Sequence, residues 1–305
     1  MASLSSLSDG SMPEWCRKLP RPQYASLEQI HVRQQWFQVY KVYSGVYAIY
    51  EPYHWEEVIS YLIYGSHKNL LLDTGMGIGN IKQVVDELTA KDNIQLPLSV
   101  ISSHTHHDHI GDNWQFEDIY GIDTNFTRTN MQGNDTDAQA ELEPGMIWKK
   151  YLPSDFDPKS YRIRPFQIKN YLRDGDKIDM GNNRRLEILT TPGHTPDCIS
   201  LFDEQNGLLF VGDTFYLGPI FLYRPETNLH EYAKSLEKLA QLCSKVKIIF
   251  PAHNIPVVEP DLLIKAAQGI KNVMSGKLKP NETDKEHDVY SFEEFSFVLN
   301  KGTIS

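Results

Sequence analysis

Five short apolar runs in this 305-residue chain each end in a turn that carries histidine or aspartate. Leu70-Leu71-Leu72 runs into Asp73-Thr74-Gly75, and Leu98-Ser99-Val100-Ile101 leads to His104-Thr105-His106-His107-Asp108-His109. Residues 185–189 end in Thr191-Pro192-Gly193-His194, Leu208-Leu209-Phe210-Val211 in Gly212-Asp213, and residues 246–250 in Pro251-Ala252-His253. Runs of this length, bounded by turn residues, read as buried strands. In α/β folds, sites gather where strands end. Five such ends with metal-type side chains say more than any one motif alone.

The rest of the chain reads around these strands. Residues 39–43 and 46–50 form a hairpin about Gly45, and 58–64 is a β-rich run. Short strands are expected at 166–168, 177–179 and 198–202. Helical spacing of apolar residues marks 78–88 and 229–242, and two more helices are expected at 260–274 and 291–299. Residues 1–35, polar and broken by Pro13, Pro20 and Pro22, read as a loose N-terminal arm. The remainder, 36–305, reads as a single domain, with 260–305 its C-terminal helices. Periodicity is lost over 124–165, which carries Phe126, Met131, Trp148, Tyr151 and Phe156 among polar residues. A stretch of that kind is either a substrate wall or lid, or an insertion packed for stability.

Composition excludes some classes. A net charge of -10 argues against nucleic-acid or anionic-membrane partners. No run of about 18 apolar residues is present, so no membrane span is expected. Cys16, Cys198 and Cys243 are few, odd in number and widely spaced, which suits a reducing, cytoplasmic setting and excludes a cysteine zinc site. A small-molecule substrate is the expected partner, and a homodimer is compatible with the sequence.

His104 and His106, two apart, share one side of an extended segment and can chelate one ion. Asp108 and His109 need a turn to aim them at a second position, and His107 then points away. His194, Asp213 and His253 supply the balance: three ligands for each of two ions and one carboxylate to bridge them.

This ordered set, His104-x-His106-x-Asp108-His109 followed by His194, Asp213 and His253, resembles the metallo-β-lactamase superfamily over roughly residues 40–260. The resemblance implies an α/β fold, a four-layer αββα sandwich of two mixed sheets flanked by helices. It also implies two Zn2+ ions, with Fe or Mn as substitutes. His104, His106 and His194 would hold the first, Asp108, His109 and His253 the second, with Asp213 bridging. Asp73 would orient a ligand histidine. Aspartate at position 213, rather than Cys or Ser, is similar to the glyoxalase II-like and lactonase-like groups. Histidine at position 106 favours a zinc hydrolase over the redox di-iron members. Tyr216 stands where the lactonases place a tyrosine near the substrate carbonyl; it reads equally as a packed aromatic.

The expected activity is hydrolysis of an ester-type carbonyl, thioester or lactone, with an apolar acyl group. A metal-held hydroxide would attack, Asp108 would carry the proton, and Tyr216 would donate to the carbonyl oxygen. The alternatives are a phosphodiesterase or nuclease on the same metal core, and a non-catalytic ligand-binding member of the fold. No dedicated coenzyme A or glutathione site is legible. The lysines at 265, 271, 277 and 279 read as solvated by default.

Overall fold

The computed structural model describes residues 12–304, which fall into two compact units. The first comprises residues 1–121, 127–171 and 180–182, of which 1–11 lie outside the described range; the second comprises 122–126, 172–179 and 183–305.

The first unit is built on a sheet whose strands follow one another in chain order: β1 (Glu28–Ile30), β2 (Gln38–Tyr43), β3 (Val46–Tyr50), β4 (Ile59–Ile63), β5 (Asn69–Leu72), β6 (Leu98–Ile101), β7 (Ile119–Ile122) and β8 (Asn170–Leu172). The expected hairpin is β2–β3, turned at Gly45 with φ +69°. Every residue of β3, β4 and β5 is buried, as continuous apolar runs at a sheet centre require. From β5 to β7 the pairing is parallel, with Leu70 opposite Ser99 and Leu72 opposite Ile101. A parallel pair needs a crossover, and helix α1 (Ile81–Lys91) supplies it. Asn80 caps that helix by accepting from the Gln83 amide, and Ile81, Val84, Val85 and Leu88 form its buried face. The carboxyl ends of β5 and β6 therefore emerge at the same edge.

Residues 124–165 contain two short helices, α2 (Asn125–Asn130) and α3 (Thr136–Ala140). Ala138, Leu142, Tyr161 and Ile163 from this segment enter the core of the first unit. Tyr151 stacks on Tyr53 with centroids 3.8 Å apart, and Tyr161 donates to the Met76 carbonyl at 2.6 Å. Much of the segment is thus packed for stability.

The second unit holds two sheets. In chain order its strands are β9 (Lys177–Gly181, of which Met180 and Gly181 group with the first unit), β10 (Arg184–Thr190), β11 (Ile199–Asp203), β12 (Leu208–Gly212), β13 (Gly218–Leu222), β14 (Ile248–Pro251), β15 (Glu282–Thr283), β16 (His287–Ser291) and β17 (Phe295–Asn300). One sheet runs β14-β12-β11-β10-β9 and the other β13-β17-β16-β15. Helices α4 (Leu229–Ala240) and α5 (Asp261–Met274) bury Tyr232, Leu236, Leu263 and Ile270 in one core with Phe297.

The mixed sheets and helices meet the expected α/β class, with three sheets among the described residues where two were expected. Three local expectations are corrected. The helix expected at 291–299 is strand β17, parallel to β13: Phe295, Phe297 and Leu299 alternate along a strand, and this period of two outweighs the helical spacing of the same apolar residues. Residues 166–168 form no strand; the pairing segment is β8, two residues later. The described part of the N-terminal arm is not loose. It adds β1 to the sheet edge, buries Cys16 and Tyr24, and pairs Arg21 with Glu57 at 2.6 Å.

Just past β3, Glu51 lies buried beneath the turn that follows β5. Its carboxyl accepts from Trp36 Nε1 at 2.5 Å and from the Met76 amide at 2.9 Å. Burial pushes its pKa up to about 8 despite both hydrogen bonds. A folded-state pKa raised above the unfolded value stabilises below the unfolded pKa, and that stability is lost as pH rises through about 8. Compared with Glu51→Gln, the wild-type protein should therefore lose a few kcal/mol of stability between about pH 5 and pH 9, with a slope of at most ~1.4 kcal/mol per pH unit. Urea-unfolding curves across that range test this, and parallel pH profiles for the two proteins would exclude Glu51 as the cause.

Candidate metal centre

In the first unit, the parallel β5–β6 pair sets Asp73 beside the loop that follows β6, and the Asp73 amide continues the ladder to the Ile101 carbonyl at 2.9 Å. Asp73 adopts φ +63°, a left-handed conformation that aspartate tolerates better than most residues. Its buried carboxylate accepts from the Ser103 amide at 2.6 Å, from Ser103 Oγ at 2.8 Å and from His109 Nδ1 at 3.0 Å. A carboxylate acceptor keeps the proton on Nδ1 and leaves Nε2 its lone pair, the form in which histidine binds a metal. Asp73 thus contacts one of the candidate ligand histidines, His109.

His104 Nδ1 lies 3.1 Å from Ser103 Oγ, and its Nε2 lies 3.0 Å from His106 Nδ1. Two ring nitrogens converging in this way resemble ligands of one ion, since nitrogens ~2.05 Å from a tetrahedral centre stand roughly 3.3 Å apart. After His106 the chain makes a single 3-10 turn over His107–His109. That turn sets Asp108 Oδ2 3.2 Å from His109 Nε2. The loop is closed from behind by Gly111, whose amide donates to the Gly75 carbonyl at 2.8 Å. A Cβ on Gly111 would lie 2.2 Å from the Met76 backbone, so only glycine fits.

His107 turns away from the ligands, as expected, and is buried. Its Nε2 meets Glu141 Oε1 at 3.0 Å, and His54 Nε2 lies 3.1 Å from the carbonyl of the same glutamate. Burial alone would depress the His107 pKa, but the Glu141 hydrogen bond and the Asp108 and Glu141 charges raise it. Burial lowers that of His54. Glu141 thereby ties the ligand loop to the 124–165 segment. The sequence carried no sign of it, because Glu141 stands in an aperiodic stretch far from its partners. Ser103 was missed as well, although its place directly before His104 was a usable signal.

The second unit is organised in the same way. Strand β12 pairs in parallel with β14, Leu208 opposite Ile248 and Gly212 opposite Pro251, so Asp213 and His253 leave the sheet on the same side. Asp213 Oδ2 lies 3.1 Å from His253 Nε2 and 3.5 Å from His194 Nε2. His194 Nδ1 donates to the Phe221 carbonyl at 3.1 Å, which again presents Nε2. The turn before it needs Gly193: its φ is +141°, and a Cβ there would stand 2.2 Å from Tyr232 Cα. Tyr216 is buried with its ring 4.9 Å from that of His253. Ile220 and Leu222, in the aromatic-rich run after it, belong to the core.

The first unit thus brings His104, His106, Asp108 and His109 into one loop, and the second brings His194, Asp213 and His253 together. Imidazoles, most of them buried and three of them (His104, His109 and His194) contacted at Nδ1, with carboxylates close by, make a donor set that fits zinc, iron or manganese.

The metallo-beta-lactamase superfamily profile matches residues 55–124 and 130–253, and the chain belongs to that superfamily. It is similar to the acyl-coenzyme A thioesterase MBLAC2 of Homo sapiens, with 24% identity over 230 residues, 72% of this chain and 81% of that protein. It is also similar to glyoxylase B2 of Dictyostelium discoideum, with 25% identity over 57% of this chain and 56% of that one. Among solved structures, TTHA1623 in a di-iron-bound form matches 69% of this chain and 93% of its own, at 20% identity and a TM-score of 0.52. The reading of the chain as a metal-dependent, ester-hydrolysing enzyme stands on this membership and these relatives. No helix among the described residues is long and apolar enough to cross a membrane.

Asp73→Asn keeps the volume and tolerates the left-handed backbone, but offers an amide where His109 needs an acceptor. Metal affinity should fall about 10–100-fold with the fold retained. Titration of the metal-free protein with zinc measures this; affinity equal to wild type would exclude the orienting role.

Proposed function

We propose that the protein is a dinuclear metal-dependent thioesterase that hydrolyses acyl thioesters with an apolar acyl group. The observation that carries the metal part is Asp213, one carboxylate close to both His194 and His253. In this reading His104, His106 and His194 hold one ion, Asp108, His109 and His253 the other, and Asp213 is shared. The thioester part is supported by the likeness to MBLAC2 over most of both chains. Zinc is the first choice of metal, and the same ligands accept iron or manganese.

Bound metal would supply a hydroxide at neutral pH and positive charge for the oxygen of the attacked carbonyl. The chain's own residues do the rest. Asp73 holds the proton on His109 Nδ1, and the Phe221 carbonyl does the same for His194. Asp108 takes the proton released in the attack and returns it to the leaving group. A thiol leaving group, with a pKa near 8.5, asks less of this acid than an alkoxide would. Tyr216, beside His253, donates to the carbonyl oxygen. Parts of the 124–165 segment flank the substrate. The odd number and wide spacing of the three cysteines suit a reducing, cytoplasmic setting.

Purified protein should hydrolyse acyl-coenzyme A faster than acyl-homoserine lactones, cephalosporins or bis-p-nitrophenyl phosphate. Chelation should abolish turnover and added zinc restore it. Faster cleavage of the phosphodiester, or thioester turnover that survives complete metal removal, would overturn the proposal. Tyr216→Phe should lower kcat about tenfold, near 1.4 kcal/mol, with metal content unchanged. Undiminished kcat would leave Tyr216 a packing residue.

A further inference from the structure

Within the first unit lies a cavity of about 560 Å³ whose lining includes Gly111, two positions after His109 in the sequence. Arg33, Lys150, Arg162 and Arg164 line it together with Trp114. Along the extended segment 161–164, Tyr161 and Ile163 are buried while Arg162 and Arg164 are exposed. The alternation places both arginines on the same side of the chain. Tyr161, bonded to the Met76 carbonyl, and Ile163, bridged to Asn134, pin the segment that presents them. None of the four cations forms a salt bridge among the described residues. Asp112, Asp155 and Asp157 also line the cavity and offset part of their charge. Trp114 is 41% exposed, and the Arg164 guanidinium lies 4.1 Å from its ring centroid.

Cations outside any carboxylate ion pair, set around an exposed indole, have the chemistry that recognises phosphate beside an aromatic base. Arginine forks match phosphate oxygens, and a purine stacks on indole or guanidinium. The volume lies in the range of small-ligand sites. We infer that this cavity holds the phosphorylated adenosine end of a coenzyme A-type carrier, whose flexible arm leads the thioester to the metal loop. Arg162 and Arg164 take the phosphates, Arg33 and Lys150 add field, and Trp114 takes the base. The inference rests on the thioesterase reading and adds where the carrier is gripped.

The test uses full-length protein, the Arg162→Ala/Arg164→Ala double variant and Trp114→Ala. All three positions are exposed, so both variants should fold. Calorimetry with 3′-phospho-ADP should show binding to wild type and at least a tenfold loss in the double variant, with a smaller loss for Trp114→Ala. KM for acyl-coenzyme A should rise at least tenfold in the double variant, with kcat and the hydrolysis of acyl-N-acetylcysteamine, which lacks the nucleotide, unchanged. Wild-type affinity and KM in the double variant would overturn the inference, as would acyl-coenzyme A turnover with no 3′-phospho-ADP binding. Nucleotide binding that depends on the arginines, in a protein that hydrolyses no thioester, would uphold the cavity and reject the proposed function.

Discussion

Parallel strand pairing is the constraint on which the rest of this structure depends. Two neighbouring strands that run the same way must finish at the same edge, and whatever follows them is delivered there together. In the first unit β5 and β6 finish side by side, and Asp73 meets Ser103 and His109. In the second, β12 and β14 finish side by side, and Asp213 meets His253. Neither meeting requires a long-range accident, because the hydrogen-bond register of the sheet sets both. Buried apolar strands hold that register, since a slip of one residue would turn every side chain of β5 or β12 to the opposite face.

Register brings the residues together, and backbone strain and glycine let them face the right way. Asp73 takes a left-handed conformation that costs of order 1–2 kcal/mol for an L-residue. Its carboxylate regains that through three hydrogen bonds in a buried setting, where charge-assisted bonds are strong. Gly111 and Gly193 act by absence: each allows a backbone contact that a single methyl group would block. Such turns are hard to alter, which explains why metal-type side chains are placed on them. His109 and His194 are each positioned by an oxygen at Nδ1, from Asp73 and from the Phe221 carbonyl.

The sequence made the strand ends legible because short apolar runs and the turns after them are local patterns. All seven ligand candidates could be named from them, as could the inactive direction of His107. What lay outside local pattern was lost. Glu141 faces His107 across 34 positions in an aperiodic segment, and Glu51 reaches Trp36 and Met76 from a strand end that shows only a lone acid. The misread helix at 291–299 has a related cause. A short run rich in phenylalanine fits both periods, and only the parallel partner β13 decides between them.

Charge shows most clearly why a sum over the chain misleads. A net -10 argued against nucleic-acid or anionic-membrane partners, and the lysines at 265 and 271 pair with Asp261 and Glu237 on helix surfaces, as solvated lysines do. Lys150, Arg162 and Arg164 stand within 15 residues but alternate with acids and aromatics, and Arg33 lies far upstream, so the four do not read as one basic patch. Folding places them around one cavity. At physiological salt the field of a distant acid is screened beyond about 8 Å, so an anion in that cavity responds to the cations around it rather than to the total. Acidic residues elsewhere then cost such a ligand little. The net charge therefore does not by itself disfavour a small phosphorylated ligand in that cavity.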